Sequence, residues 1–461
     1  MAGAINELLG LLRQHHLLAA QALREALGIS PPTLMRAVRQ AGEQVLTIGR
    51  ARRTAYALRR PLRGSLAPLP LYRVDVDGRA ETVAQLHLGH PSGTLVEIAR
   101  SDNFEWPLAQ AGTRMRDGWF EGLPYFLQDM RPQGFLGRRF ARDHAALLQL
   151  AENPQDWSDD DALYALSLLG SDQSGNFIVG DAAFQHWQAQ AQSESPIAAG
   201  DELRAYAELA QRAMAFGPAG SSVAGEFPKF TALRDDEGTP RHVLVKFSGS
   251  DDSPGTQRWS DLLVCEQLAS ALVGTLPGLR GAASRILRGE GRTFLEVGRF
   301  DRHGLQGRSG LCSWAAINAD WFGLAGRSWA EGAAALVAAG LIDAAAQPAV
   351  QRLAFFGQLI ANTDMHDGNL SFEPGPASTL SLAPVYDMLP MAYRPQVGVE
   401  LPAVEFTPRL PLPPQREAWA QAAEAAQRFW AQAADDARIS AGFRAICAEN
   451  EQRVAAARRR V

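Results

Sequence analysis

Lysine is almost missing from this sequence. Of 45 lysines and arginines in 461 residues only Lys229 and Lys246 are lysines, which leaves 43 arginines. Arginine is a wide planar fork and lysine a compact point charge, so two lysines kept within the short stretch Ser221 to Phe247 mark a candidate phosphate site. Cysteine is nearly as scarce. Cys265, Cys312 and Cys447 are scattered, odd in number and without a Cys-x-x-Cys pair, which argues against structural zinc and for a reducing cytoplasm. The most apolar run, Trp329 to Val350, is interrupted by Glu331, Asp343 and Pro348 and so is no membrane span. Met1 to Ala20 mixes Glu7, Arg13, His15 and His16 with leucines, as an amphipathic helix does and a signal peptide does not. A Walker A loop is excluded, because Gly225 is followed by Glu226 where Lys-Ser/Thr is required. Internal repeats are also lacking.

What is present begins with 46% hydrophobic residues, enough for proper cores in two to four domains. The formal net charge of −5 hides an asymmetry: residues 1–65 hold ten arginines against Glu7, Glu25 and Glu43. Such a basic module on an acidic body directs attention to nucleic acid. Ala19 to Leu27 reads as a helix, Gly28-Ile29 as a turn, and Ser30-Pro31 as the start of a second helix. On that helix, Pro31 to Gln40, the spacing turns Leu34 and Val38 inward and Thr33, Arg36 and Gln40 outward, with Arg39 beside them. Val45 to Ile48 and Thr54 to Leu58 alternate as strands around a tip containing Arg52 and Arg53. The whole, residues 1–62, resembles a winged helix-turn-helix, and DNA is the partner that resemblance implies.

Beyond a proline-punctuated linker, Leu71 to Ile98 predicts short strands broken at Asp77-Gly78 and Pro91-Ser92-Gly93. Helical patterns dominate from about Gly118 to Glu194, strands from about Ala213 to Arg302, and helices again to the end apart from Ala361 to Pro390. The expected division is 71–205 for a β-rich subdomain plus helices, 206–305 for a nucleotide-binding lobe, and 306–461 for a helical lobe.

The break holds the chemistry. Asp364 and Asn369 stand five apart in a polar loop, Asn362-Thr-Asp-Met-His-Asp-Gly-Asn369, after a strongly apolar helix. A kinase catalytic loop uses that spacing: the aspartate accepts the substrate hydroxyl proton and the asparagine holds magnesium. Asp387, after the short strand ending Val385-Tyr386, supplies the second carboxylate that a hard, oxygen-seeking Mg²⁺ needs. Calcium is disfavoured, since the loop is too short for an EF-hand and lacks its terminal glutamate. Upstream, Gly217 to Gly225 forms a turn whose N–H groups suit phosphates, and strand residue Lys246 follows. Helix Trp259 to Leu272 then offers Asp261 or Glu266 as an ion-pair partner for that lysine. This order predicts an α+β, protein-kinase-like two-lobed fold.

Together Ser222-Val-Ala-Gly225 with Lys229, His242-Val-Leu-Val-Lys246, Arg299-Phe-Asp-Arg302, the Asp364-x-His366-x-x-Asn369 loop and Tyr386-Asp387 resemble the motifs of HipA-like serine/threonine kinase toxins. That resemblance implies Asp364 as proton acceptor. ATP would meet Ala224, Gly225, Glu226, Phe227, Pro228 and Lys229 at its phosphates, with Lys246 on the α- and β-phosphates and Gly298, Arg299 and Phe300 at the adenine. His366, Asn369, Tyr386 and Asp387 complete the nucleotide site, and Asn369 and Asp387 bind Mg²⁺. It implies autophosphorylation at Ser222, a protein substrate with a Ser/Thr acceptor, and an antitoxin protein as partner. The family's Gly-x-Gln-x-Lys run is here Gly225-Glu-Phe-Pro-Lys229. Two other readings keep some of these residues: a small-molecule kinase of similar fold, and a nucleotide-sensing transcription regulator.

Overall fold

In the computed structural model, residues 2–99, 104–107, 115–215, 227–324, 326–375, 378–396 and 401–461 are described. The N-terminal head consists of α1 (Ala2–Gln14), β1 (Leu18–Ala19), α2 (Ala20–Leu27), α3 (Pro31–Ala41), β2 (Val45–Ile48) and β3 (Ala55–Leu58), its antiparallel strands ordered β1-β3-β2. Gly28 ends α2 in the left-handed conformation, where glycine is unstrained. Leu34, Ala37 and Ala41 of α3 meet Leu8, Leu12, Leu23 and Tyr56 in one small core. The strand β1, two residues long, is too short to leave a pattern in the sequence.

This head is not a free module. Leu46, Ile48 and Ala57 pack on Leu95 and Trp119 of the next region, Arg53 pairs with Asp117 at 3.0 Å, and Arg60 grips both oxygens of Asp160 at 2.6 and 2.7 Å.

The middle region opens with β4 (Leu69–Val74), β5 (Ala80–Leu88), β6 (Thr94–Ile98) and β7 (Trp119–Phe120). There follow α4 (Tyr125–Gln128), α5 (Gly134–Leu148), α6 (Asp159–Leu169), β8 (Phe177–Val179) and α7 (Asp181–Ser193). Its five strands run β7-β6-β5-β4-β8. The breaks at Asp77-Gly78 and Pro91-Ser92-Gly93 fall between strands as the turn chemistry predicts. Within 118–194, where helical patterns were expected to dominate, α4 to α7 form, and β7 and β8 in addition join the sheet. Both are short and wholly buried, so alternation could not reveal them.

Next come α8 (Glu202–Met214), β9 (Lys229–Asp236), β10 (Thr239–Phe247), α9 (Pro254–Val273), β11 (Ser284–Gly289) and β12 (Arg292–Gly298), giving a sheet ordered β11-β12-β10-β9. Ser253 caps α9 by accepting from Thr256 N, with Pro254 at the first helical position. The C-terminal part contains β13 (Arg302–His303), β14 (Gly307–Arg308), β15 (Cys312–Ser313), α10 (Trp314–Trp321), α11 (Trp329–Ala338), α12 (Ala346–Leu359), β16 (Ser371–Pro374), β17 (Leu380–Leu382), α13 (Arg416–Asp435) and α14 (Ala441–Arg458). The helical end expected from the sequence thus also carries a small sheet, β15-β16-β17, on either side of the Asp364 loop. A continuous core runs from β5 and α4 through α9 to α12 and α13, so the cleft lies between parts of one packed body. Among the described residues no helix is long and apolar enough to cross a membrane.

Candidate active site

Alternation along β10 sets the floor of the site. Val243, Val245 and Phe247 enter a core with Tyr206, Phe230 and Phe294. Leu244 and Lys246 therefore face the opposite side, where they line a cleft of about 440 Å³. Lys246 is buried, donates to Glu266 Oε1 at 2.6 Å and touches Asp387 Oδ1. Glu266 is thus the partner of Lys246. Asp261, on another face of α9, accepts instead from Ser440 N at 2.8 Å and Ser440 Oγ at 2.6 Å.

Burial alone would lower the Lys246 pKa, but the carboxylates of Asp387 and Glu266 outweigh it and hold the ammonium charged above its ordinary value. Asp387 shows the reverse balance: burial pushes its carboxyl up, and Lys246 with more distant Lys229 brings it below the ordinary range. Glu266 Oε2 is buried with no hydrogen-bond partner among the described residues.

Opposite this floor, α12 ends at Leu359 and the chain turns through Ala361 at φ +57° into the polar loop. Asn362 Oδ1 accepts from Asp364 N at 3.0 Å, and Asn362 Nδ2 donates to Asp387 O at 3.3 Å. Asn369 Nδ2 donates to Asp364 O at 2.9 Å, while Tyr386 Oη donates to Gly368 O at 2.9 Å. His366 Nδ1 accepts from Gly368 N at 3.1 Å. The loop is therefore stapled internally and to the segment carrying Asp387. Its Asp364 carboxylate is exposed and accepts no hydrogen bond among the described residues, the state a proton acceptor needs. Asp387 itself sits at φ +56°, a conformation costly for a residue with a Cβ and one found concentrated at functional sites.

Gly298, Arg299, Phe300, Tyr386 and Asp387 line the cleft with Lys246. Arg299 offers it backbone rather than charge, since its guanidinium pairs with Asp172 at 2.8 Å and Asp301 at 3.2 Å. Asp364 and His366 line an adjoining cavity instead. Lys229 stands directly opposite Lys246 in the β9–β10 register. Pro228 O accepts from Phe247 N at 3.1 Å, and the Phe227 ring packs on Trp259 with centroids 4.5 Å apart. Ser222, Ala224, Gly225 and Glu226 lie outside the described residues.

On the head, Arg36, Arg39 and Gln40 of α3 are exposed and Thr33 is half-buried. Arg52 and Arg53 are both exposed, and Arg53 in addition pairs with Asp117. Two contributions went unread in the sequence. Asn362 is the pivot of the loop, signalled only by its place two residues before Asp364. Arg131, Pro132 and Gln133 reach the cleft from the middle region, and nothing in the local sequence reveals that long-range approach.

Two family models match the chain. A HipA-like C-terminal domain matches residues 221–457. The chain belongs to the HipA-like toxin family. A YjjJ-like toxin middle domain matches residues 65–188. Over 442 residues the chain is 37% identical to Toxin YjjJ of Escherichia coli (strain K12), covering 95% of this chain and 94% of that relative. The solved HipA from Shewanella oneidensis MR-1, in a complex with HipB and operator DNA, matches with a TM-score of 0.52 at 15% identity, over 85% of this chain and 97% of that one. At that identity the likeness shows a shared α+β fold.

Proposed function

We propose that this HipA-like chain is an ATP-dependent serine/threonine protein kinase, and that its toxicity rests on that transfer. One observation carries the reading: a buried Lys246–Glu266 pair touches Asp387 on the cleft floor, and the stapled loop opposite presents an unengaged Asp364 carboxylate. In the proposed reaction the acceptor oxygen bonds to the γ-phosphorus as the bond to the β–γ bridging oxygen breaks. The hydroxyl proton passes to the Asp364 carboxylate and ADP leaves. Lys246 offsets phosphate charge from a position fixed before substrate arrives, so catalysis is mainly positioning and electrostatics.

The residues present suit Mg²⁺. Asp387 is an ionised carboxylate, and Asn369 donates through Nδ2 to Asp364 O, which leaves its amide oxygen available as a hard ligand. Bound there, the ion would neutralise charge on the transferring phosphoryl group. Gly298 to Phe300 suit the base, the backbone of Phe227 to Lys229 the phosphates, and Ser222 is the proposed site of autophosphorylation.

In the head, the order helix, strand, two helices and hairpin, with β1 paired to β3, supports the winged helix-turn-helix reading. DNA contact is proposed through Thr33, Arg36, Arg39, Gln40 and Arg52. That the Shewanella relative was solved with HipB and operator DNA supports an antitoxin and DNA as partners here.

Purified protein incubated with Mg-ATP beside Asp364→Asn, followed by intact-mass and peptide mapping, tests this. Phosphate on the wild-type polypeptide alone, at Ser222, is expected. A label confined to a metabolite would favour a small-molecule kinase. Operator binding that shifts with ATP while neither protein transfers phosphate would favour a nucleotide-sensing regulator.

A further inference from the structure

Asp129, the residue that ends α4, lines the nucleotide cleft together with Tyr386 and Asp387, yet it belongs to the middle region. Both of its oxygens are held by one residue. Oδ2 accepts from Ser313 N, and Oδ1 accepts from Ser313 Oγ at 2.7 Å. Burial pushes this carboxyl up and the two Ser313 donors draw it back, with no lysine or arginine paired to it among the described residues. Ser313 stands where β15 passes into α10. Its Oγ also accepts from Ala316 N at 3.2 Å and so caps α10, which places the Asp129 carboxylate at the end of that helix where exposed N–H groups favour an anion. At the other end of α10, Asp320 accepts from Tyr125 N, the first residue of α4, at 2.8 Å. The two helices are thus tied at both ends.

From this junction the contacts run into the polar loop. Ser313 opposes Ser371 in the β15–β16 register, and Trp314 N donates to Leu370 O at 2.7 Å. Asn318, one turn further along α10, donates through Nδ2 to Asp367 Oδ2 at 3.4 Å. Tyr386 Oη donates its one proton to Gly368 O, which makes Ser371 Oγ the donor in its 2.7 Å bond to Tyr386 Oη. The segment braced in this way carries Asn369, and Tyr386 is followed directly by Asp387. We propose that Asp129 is a positioning residue of the catalytic loop: by fixing Ser313 it fixes the 367–371 end of that loop and, through Ser371 and Tyr386, the place of Asp387. The proposal rests on the phosphotransferase reading, and it makes the middle region part of the catalytic frame. An asparagine at this position keeps one acceptor oxygen for Ser313 and loses the other, whereas an alanine loses both.

The test uses the full chain with Mg-ATP and reads autophosphorylation as a rate per nucleotide site, the sites being counted with a fluorescent ATP analogue so that unfolded protein does not enter. Asp129→Ala is expected to lower the rate at saturating ATP about tenfold to a hundredfold, the effect of a small displacement of reacting groups, while the ATP concentration for half-maximal rate stays close to the wild-type value. Asp129→Asn should recover part of the loss. Hydrogen exchange read by mass spectrometry should show residues 366–372 opening faster in Asp129→Ala, with α13 and α14 unchanged. Should the alanine variant fail to fold, Asp129→Asn carries the same two measurements, with a smaller loss in the same direction. A rate per site equal to the wild type, a loss confined to ATP affinity, or faster exchange spread evenly over α13 and α14 would overturn the proposal. The parent reading fails separately. If the wild type transfers no phosphate yet Asp129→Ala selectively loosens 366–372, the kinase reading falls and the bracing of the loop stands. Transfer at the wild-type rate by Asp129→Ala leaves the kinase reading and removes this one.

Discussion

Two buried ion clusters flank the same cleft, and they are built on opposite terms. Around Arg302 the carboxylate of Asp301 is fully answered: it accepts from Arg302 at 2.7 Å, from Arg299 at 3.2 Å and from Gly175 N at 3.0 Å, while Arg302 also reaches Asp172 at 3.0 Å and Gly175 O at 2.8 Å. Around Lys246 the account stays open. One ammonium faces the carboxylates of Glu266 and Asp387, an oxygen of Glu266 is left without a donor, and Asp387 is bent into a left-handed conformation. The first cluster ties the loop 172–175 of the middle region to the strand leaving the nucleotide sheet, and it holds the two parts in register. The second keeps excess negative charge where a cation would offset it, beside a strained Asp387. Saturation marks structure here, and incompleteness marks chemistry.

The sharpest way to break this contrast is at the group with fewest partners. Asp364→Ala removes no side-chain hydrogen bond seen in the fold, so thermal unfolding should barely move, yet phosphate transfer should fall about 10²–10⁴-fold. Equal transfer by the two proteins in a labelled-ATP assay would remove the catalytic assignment. Lys246→Arg comes next. A planar fork cannot fit between Glu266 and Asp387 as a point charge does, and transfer should drop on the order of 10²–10³-fold. Lys229→Arg, at the half-buried start of β9, should weaken transfer far less, mainly as a higher KM for ATP; parity of the two variants would deny Lys246 its special place.

At the saturated cluster the effect should be on folding instead. Asp301→Asn leaves Arg299 and Arg302 short of a buried countercharge and should cost about 3–5 kcal/mol, read by denaturant unfolding. Its pH dependence has a definite sign. Burial pushes the Asp301 carboxyl up, but Arg299 and Arg302 more than offset this and bring it to about 2, below its ordinary 3.8. A depressed carboxylate contributes stability above its unfolded pKa and loses it as pH falls through the folded one. Wild-type stability should therefore drop by about 2 kcal/mol from this group between pH 4 and pH 2, and Asp301→Asn should flatten that limb. An unchanged acid limb would mean that Asp301 is not held ionised by its arginines.

Much of the open cluster was legible in the sequence and little of the closed one. Lys246, Asp364, Asn369 and Asp387 could be read because phosphate chemistry restricts residue type and local spacing, and two lysines among 43 arginines made one of them conspicuous. The choice of Glu266 over Asp261 needed the rotation of α9 relative to β10, which no local pattern encodes. Asp172 with Arg299 and Arg302 joins residues 127 and 130 apart in the chain. An arginine-rich composition hides such pairings rather than advertising them. The strands β7 and β8 escaped for a related reason: two or three fully buried residues show no period, and only their sheet partners define them.

The smallest effect carries the same contrast to the head. Arg52 and Arg53 are sequence neighbours and looked equivalent as a basic tip. Both are exposed, yet Arg53 is paired with Asp117, whose side chain is only 3% exposed, whereas Arg52 makes no ion pair among the described residues. If the head binds DNA, each arginine resting on a phosphate releases counterions and adds about one unit to the slope of log K against log salt concentration. Arg52→Ala should therefore reduce that slope by about one in a salt titration of operator binding. Arg53→Ala should leave the slope nearly unchanged while loosening the head from the body, visible as faster proteolysis in the 59–68 linker. A full unit lost at Arg53 would mean that its bond to Asp117 opens on DNA and that the head leaves the middle region to bind. An unchanged slope in both variants would argue that this face docks protein.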